Sequence, residues 1–296
     1  MTTEKLAELL AVNLWVVLFV ITLGMLLGAW LLWAGLQRHG ARIVALLQKL
    51  LDRLRPHADR LPMPRVVHGA GQIAKQLGVQ VLLSMAIAIA ACVGFVEIAD
   101  EIGVDDDLGR FDVALSAALS QHASDEQLRI FAAVTDLGDK KFLIPLAAAI
   151  AVLMLFRRRW MLAATWLVAT AGGGLLNVGL KAIFERSRPE RLHGFAAADG
   201  WSFPSGHSSG SFIVYGLLAY LIVINSKPRW HLPVAALAMT LIVCVGFSRV
   251  ILQVHYFSDV LGGYAFGAAW VAAWIAGLEA FRRRQQGAGL AGTDIS

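Results

Sequence analysis

Charge is scarce in this chain. Of its 296 residues, 16% are Asp, Glu, Lys or Arg, against roughly 25% in a soluble domain. That deficit excludes a water-facing surface over most of the chain. Cysteine is scarcer still: only Cys92 and Cys244 occur, both inside apolar runs, so neither a disulfide framework nor a cysteine-built metal centre is available. Both read as small residues of an apolar interior. No convincing internal repeat is visible. The formal charge is +5, but no basic face lies on a soluble module, so nucleic acid is excluded as a partner.

What the chain has is hydrocarbon. Hydrophobic residues make up 57% of it, and several runs approach the ~20 residues a helix needs to cross a bilayer. The fold class expected is all-α, a polytopic membrane helix bundle whose first partner is the bilayer itself. The first run extends from Asn13 to Leu36. It is too long for a signal peptide core of about 7–15 residues, and it carries Trp30 and Trp33 towards its end, so it reads as an uncleaved N-terminal transmembrane helix (residues 1–36). Further spans are expected at Val79–Ile98, Phe142–Phe156, Trp160–Leu180, Ser211–Asn225, Leu232–Val250 and Val260–Phe281. The third run overall is short and contains Pro145.

Residues 37–78 differ in kind. Ile43, Leu47, Leu50 and Leu54 recur at helical spacing among Arg42, Lys49 and Arg53, the pattern of a helix lying on a membrane surface; a plain basic linker is the alternative. Pro56, Pro62 and Pro64 are expected to end it. Four basic markers then set orientation: the 37–75 segment, Arg157–Arg159, Lys227 with Arg229, and Arg282–Arg284. Counting spans puts all four on one side, the cytoplasmic one by the positive-inside rule. The acidic 99–141 loop falls opposite. The C terminus is then inside, seven spans place the N terminus outside, and residues 282–296 read as a disordered tail. Gly172–Gly174 and the Gly263 to Gly267 spacing suit close helix packing.

Three short strings carry chemistry, each beside a span end and all on the side opposite the basic loops. The first is Lys181 with Arg188-Pro189: if the helix continues, the seven-residue spacing puts both cations on one face. Arg188 can fork onto two oxygens and Lys181 offers a compact charge; a snorkelling Lys with a loop Arg is the structural alternative. The second is Pro204-Ser205-Gly206-His207. There a hydroxyl, close backbone approach at Gly206 and a helix N-terminus starting near His207 can receive an anion, and a Ser-Gly turn explains the same residues without function. The third is Ser248-Arg249, then His255 and Asp259. At spacing four the carboxylate can hold one imidazole nitrogen and aim the other outward; a capping Asp is the alternative. Charges at the margin of apolar helices are costly unless they serve a function.

Together these strings resemble the type 2 phosphatidic acid phosphatase family, which shares its signature with vanadium haloperoxidases. The family pattern of Lys-x6-Arg-Pro, Pro-Ser-Gly-His and Ser-Arg-x5-His-x3-Asp is matched throughout, and Thr135-Asp136-Leu137-Gly138 is similar to the family's stretch before its second span. The resemblance covers about 79–281 and implies a six-helix phosphatase core, with the first span and the 37–78 segment as additions. It implies a catalytic set of His207, His255 and Asp259. In it His255 attacks phosphorus, Asp259 orients it, and His207 protonates the leaving oxygen and then activates water. Lys181, Arg188, Arg249, Ser205 and Gly206 would bind the phosphoryl oxygens, with no metal and no cofactor.

The substrate the resemblance implies is a lipid phosphate handled outside the cytoplasmic membrane: phosphatidic acid, phosphatidylglycerol phosphate, undecaprenyl diphosphate or a lipid A phosphate. The stretch from Glu190 to Trp201 is expected to line the mouth of the site and set headgroup preference. Other readings use the same residues. They are phosphoryl transfer to a second lipid, haloperoxidase chemistry on bound vanadate, and a lipid carrier that binds without turnover.

Overall fold

A computed structural model of the chain describes residues 2–28, 30–31, 34–35, 38, 49, 64–103, 105–190, 194–196 and 198–291, with backbone alone for 64–79 and 284–291. The described residues are helical or in turns, and none is in a strand. In chain order the helices are α1 (Thr3–Val12), α2 (Leu14–Gly28), α3 (Pro64–Asp100), α4 (Asp107–His122), α5 (Asp125–Thr135), α6 (Lys140–Phe156), α7 (Trp160–Phe184), α8 (Gly206–Ile224), α9 (His231–Ile251) and α10 (Phe257–Ala291).

Among the described residues, five stretches are long and apolar enough to cross a membrane: Gln80–Asp100, Trp160–Phe184, Gly206–Ile224, Pro228–Ile251 and Phe257–Arg283. Five of the seven expected spans correspond to them. The other two depart for local reasons. α6 has 17 residues, about 25 Å at 1.5 Å per residue, short of the ~30 Å hydrocarbon core. The N-terminal segment expected as one helix over 1–36 is not straight, because α1 and α2 meet at a bend of 93° where the apolar run begins. Asn13 sits at the break, and its Nδ2 donates to the Leu9 carbonyl at 2.9 Å. A short amide side chain there competes with the helical backbone ladder.

Two compact units divide the chain, 1–26 with 89–271 and 27–88 with 272–296. The first holds all three motif strings. At its centre α8, α9 and α10 are the most buried, while the α7 span has only 17% of its residues buried, as suits a helix facing lipid. α10 meets α8 through glycine: a Cβ on Gly263 would lie 2.8 Å from the Ser205 carbonyl oxygen, and one on Gly267 2.7 Å from Phe212 Cβ. This is the close approach the Gly263–Gly267 spacing suggests. Phe203, fully buried, packs against Phe184 at 5.0 Å and Phe95 at 5.4 Å, which pins the segment before α8 to the end of α7. α1, which no apolar run announces, lays Ala7 and Ala11 against the core that includes Leu115 and Leu119 of α4, and Trp15 stacks on Phe131 of α5 at 5.3 Å. Cys92 is exposed and Cys244 half-buried, so Cys92 is no core residue.

In the second unit α3 starts at Pro64, where the missing N–H is harmless in a first turn, well ahead of the expected boundary at 79. α10 continues to Ala291, beyond the point where a disordered tail is expected; Arg283, Arg284, Gln285 and Gln286 are good helix formers. Glu279 accepts from Arg282 Nη1 at 3.0 Å. The expected surface helix of Ile43, Leu47 and Leu54 lies outside the described residues.

Gly263→Ala should lower the melting temperature in detergent, because added volume against backbone costs about 1–3 kcal/mol. Gly174→Ala, whose Cβ meets nothing within 4 Å, should be neutral or gain up to ~1 kcal/mol from helix propensity. Equal shifts for the two variants would refute the glycine contact.

Candidate active site

α7 ends because Glu185 takes a left-handed conformation, φ 45°. The helix therefore does not carry Lys181 and Arg188 on one face; Arg188 arrives by a loop. Both cations nevertheless converge on the same segment. Lys181 Nζ donates to the carbonyls of Trp201 at 2.6 Å and Ser202 at 3.0 Å. Arg188 donates from Nε to Gly200 O at 2.8 Å, from Nη2 to Asp199 O and Trp201 O at 3.0 Å, and from Nη1 to Val254 O at 2.6 Å.

Ser205 is the N-cap of α8, its hydroxyl accepting from Ser208 N at 3.4 Å. α8 thus begins at Gly206, with its first N–H groups lacking partners inside the helix and its positive dipole end directed at the site. Asn177, one turn before Lys181, donates to Ser209 Oγ at 3.0 Å and Pro204 O at 3.5 Å, tying this turn to α7. His207, in α8's first turn, places Nε2 3.5 Å from Asp139 Oδ2.

Arg249 lies in the last turn of α9, 3% exposed, with Nη1 donating to Thr135 Oγ1 at 2.8 Å. The chain then reverses through Gln253, φ 50°, and His255 N returns to the Arg249 carbonyl at 3.3 Å. His255 therefore sits in the turn ahead of α10, while Asp259 is in that helix's first turn. The two are not on one helical face, yet they meet: Nδ1 lies 3.3 Å from Asp259 Oδ2. The same oxygen caps α10 by accepting from Tyr256 N at 2.9 Å, so the capping and functional readings of Asp259 hold together. On the other edge of the ring, Nε2 lies 3.2 Å from Arg188 Nη1. Because arginine only donates, Nε2 presents its lone pair to the cationic side and Nδ1 carries the proton towards Asp259.

The candidate catalytic and phosphate-binding residues of the three strings lie in this one locality. Ser205 N donates to the Asp259 carbonyl at 2.9 Å, which joins the second string to the third, and Lys181, Arg188 and Arg249 all lie close enough to His207 to act on it electrostatically. Burial pushes the His255 imidazole down to about 4; Asp259 pulls the other way, and Arg188 and Arg249 add to the drop. The site can hold a tetrahedral anion among three cations and a helix N-terminus, with a neutral imidazole beside it.

Sequence reasoning passed over several neighbours. Arg186 donates from Nη1 to Asp259 Oδ1 at 2.7 Å and from Nη2 to Asp112 Oδ2 at 2.9 Å. Asp112 lies on α4, and a single acid among apolar neighbours was its only signal. Burial pushes its carboxyl up, yet it accepts from Ser258 N at 3.0 Å, Ser258 Oγ and Arg186, three donors that suit a carboxylate. Thr135 is named above only as part of the Thr135–Gly138 stretch, with no role given to it, and Asp139 follows that stretch directly. Arg191, Leu192 and His193 of the expected mouth lie outside the described residues.

A family model described as the PAP2 superfamily matches residues 162–283. Phosphatidylglycerophosphatase B of Bacillus subtilis (strain 168) is 36% identical over 146 residues, 47% of this chain and 68% of its own. A lipid A 1-phosphatase of Rhizobium johnstonii is 38% identical over 104 residues, 32% of this chain and 39% of its own. Among solved structures, the crystal structure of the first transmembrane PAP2 type phosphatidylglycerolphosphate phosphatase from Bacillus subtilis is 31% identical with a TM-score of 0.57, covering 66% of this chain and 94% of that one. The chain belongs to the PAP2 superfamily. It is a multi-pass membrane protein and a phosphatase of that family.

The fold holds His255 neutral, so the imidazole's share of stability is complete above its ordinary value of about 6.5 and is lost as pH falls through about 4. Between pH 7 and pH 4 wild type should therefore lose more melting temperature than His255→Asn, which cannot titrate there. Parallel losses would contradict the assignment of a buried neutral ring.

Proposed function

We propose that this protein hydrolyses phosphate monoesters or diphosphates of membrane lipids through a phosphohistidine on His255, on the outer face of the cytoplasmic membrane. The observation that carries the reading is the double constraint on His255, with Nδ1 facing the Asp259 carboxylate and Nε2 facing the Arg188 guanidinium at 3.2 Å. An imidazole so held is a nucleophile aimed into a cation cradle.

In the first step the Nε2 lone pair forms a bond to phosphorus while the bond to the lipid oxygen breaks. His207, protonated once the phosphate dianion offsets the surrounding cations, gives its proton to that oxygen, and Asp259 stabilises the charge that develops on the His255 ring. In the second step water attacks the phosphohistidine, His207 takes its proton, and inorganic phosphate leaves with Nε2 restored. Lys181, Arg188, Arg249, the Ser205 hydroxyl and the backbone at Gly206 stabilise the equatorial oxygens. A loose phosphoryl transition state needs positioning and charge above all. Asp139, 3.5 Å from His207, orients the acid.

Lipid is favoured as substrate because the cradle lies at the ends of membrane-spanning helices, where an acyl or prenyl tail stays in hydrocarbon while its headgroup enters. The names of the relatives support the same class, and they put phosphatidylglycerol phosphate first in a panel with phosphatidic acid, undecaprenyl diphosphate and lipid A phosphates. The outer face is favoured by alternation. The motif strings occupy one set of helix ends in α7–α10, while Arg157–Arg159 and the Lys227–Arg229 turn occupy the other, joined by Arg159 Nη1 to Asn225 Oδ1 at 3.2 Å, and basic turns stay cytoplasmic.

Purified wild type should release phosphate from at least one member of that panel and carry acid-labile label on histidine during turnover. His207→Ala should lose about 10²–10⁴-fold in kcat, and His255→Ala should lose both turnover and label. Turnover by His255→Ala at the wild-type rate would overturn the mechanism.

A further inference from the structure

We propose that Arg186, balanced by Asp112, is a positioning residue for the nucleophile pair: it locks the Asp259 carboxylate, and through it the His255 ring, without touching the phosphate. The inference rests on the reading of His255 as nucleophile and goes beyond the three motif strings, since Asp112 on α4 lies outside the matched family region.

Arg186 is a different kind of cation from its neighbours. Its Nη1 donates to Ser258 Oγ at 2.6 Å and to Asp259 Oδ1 at 2.7 Å; its Nη2 donates to Asp112 Oδ2 at 2.9 Å and reaches towards Ile102 O at 3.4 Å. The guanidinium also lies over the Tyr256 ring, 4.6 Å from its centroid. Both ends of the fork are thus spent on buried acceptors, and both carboxylates are fully buried. Lys181 and Arg188 instead hold neutral carbonyls, which a phosphate can displace at small expense. A guanidinium bridging two buried carboxylates has no such freedom.

Charge balance gives Asp112 its part. Arg186 alone beside Asp259 would cancel the carboxylate that must stabilise positive charge on the phosphorylated ring. With Asp112 opposite, the three groups together keep one negative charge, and it faces His255. Ser258 closes the cluster by accepting from Arg186 and donating to Asp112 through one hydroxyl, which fixes the first turn of α10 and so the place of Asp259.

The test is single-turnover phosphorylation of His255 on the full-length purified protein, with steady-state kcat and KM on the preferred lipid phosphate. Asp112→Asn keeps shape and removes the balancing charge; Arg186→Lys keeps charge and removes the two-armed fork. Each should slow label transfer to His255 by about 10–100-fold while KM stays within about twofold, because neither group meets substrate. Arg188→Lys, in contrast, should raise KM. A tenfold rise in KM with an unchanged transfer rate would make Arg186 a phosphate contact, and wild-type values for both constants would make the cluster a mere strut; either result overturns the proposal. If Asp112→Asn does not fold, Ser258→Ala decides by the same split. His255→Ala run alongside separates the two levels. Normal turnover there removes the functional reading first. An inactive His255→Ala beside wild-type Asp112→Asn and Arg186→Lys removes this inference alone.

Discussion

A fully buried carboxylate must be paired, and around Asp259 that requirement organises the whole site. Its Oδ2 takes the Tyr256 N–H and faces the His255 ring, its Oδ1 takes Arg186 and, at 3.4 Å, the Ser202 hydroxyl, and its own carbonyl accepts Ser205 N. These donors come from three pieces of chain. Leaving such a charge unpaired would cost roughly 3–5 kcal/mol, comparable to the net stability of many domains. The loop after α7, the turn before α8 and the turn before α10 are thus held together by one anion, and the cradle is a consequence of satisfying it.

That anion can be buried only because helix ends surround it. α7 and α9 finish at the site, and α8 and α10 begin there, so two C-terminal and two N-terminal turns share one locality. N-termini supply spare N–H groups and positive potential for an anion, while the Lys181 and Arg249 turns close the carbonyl-rich ends with cations. Glycine at 263 and 267 lets α10 approach α8 closely enough for Ser205 to reach Asp259. Lipid-facing packing, helix polarity and site geometry therefore depend on the same contact. On the opposite side α4, which supplies Asp112, is itself packed against α1, so the N-terminal helix supports an element that touches the site.

Much of this was legible because the chemistry sits in short strings. The apolar runs announce the spans, and Lys181, Arg188, Ser205, His207, Arg249, His255 and Asp259 point by their types and order to the phosphate site proposed above. Backbone detail was not legible. Nothing in Phe184-Glu185-Arg186 declares a left-handed Glu185, so the assumption of a continuous helix misplaces the route by which Arg188 arrives. His255 and Asp259 meet at spacing four through a turn and a cap, and helical periodicity reached the right contact by the wrong path. Arg186 and Asp112 escaped notice because a partnership across 74 residues leaves no local pattern. The elbow at Asn13 escaped for a related reason: the apolar run starts at that residue, so hydropathy reports neither the helix ahead of it nor the angle between the two.

The cations of the site divide by the kind of acceptor each one holds. Arg186 holds carboxylates and is fixed. Lys181 and Arg188 hold main-chain carbonyls of residues 199–202 and 254, neutral acceptors whose hydrogen bonds are weaker than those to a phosphate dianion. Arg188 Nη1 donates to the Val254 carbonyl and also faces His255 Nε2, so under the function proposed above a phosphate competing for this guanidinium would bear on the His255 lone pair as well.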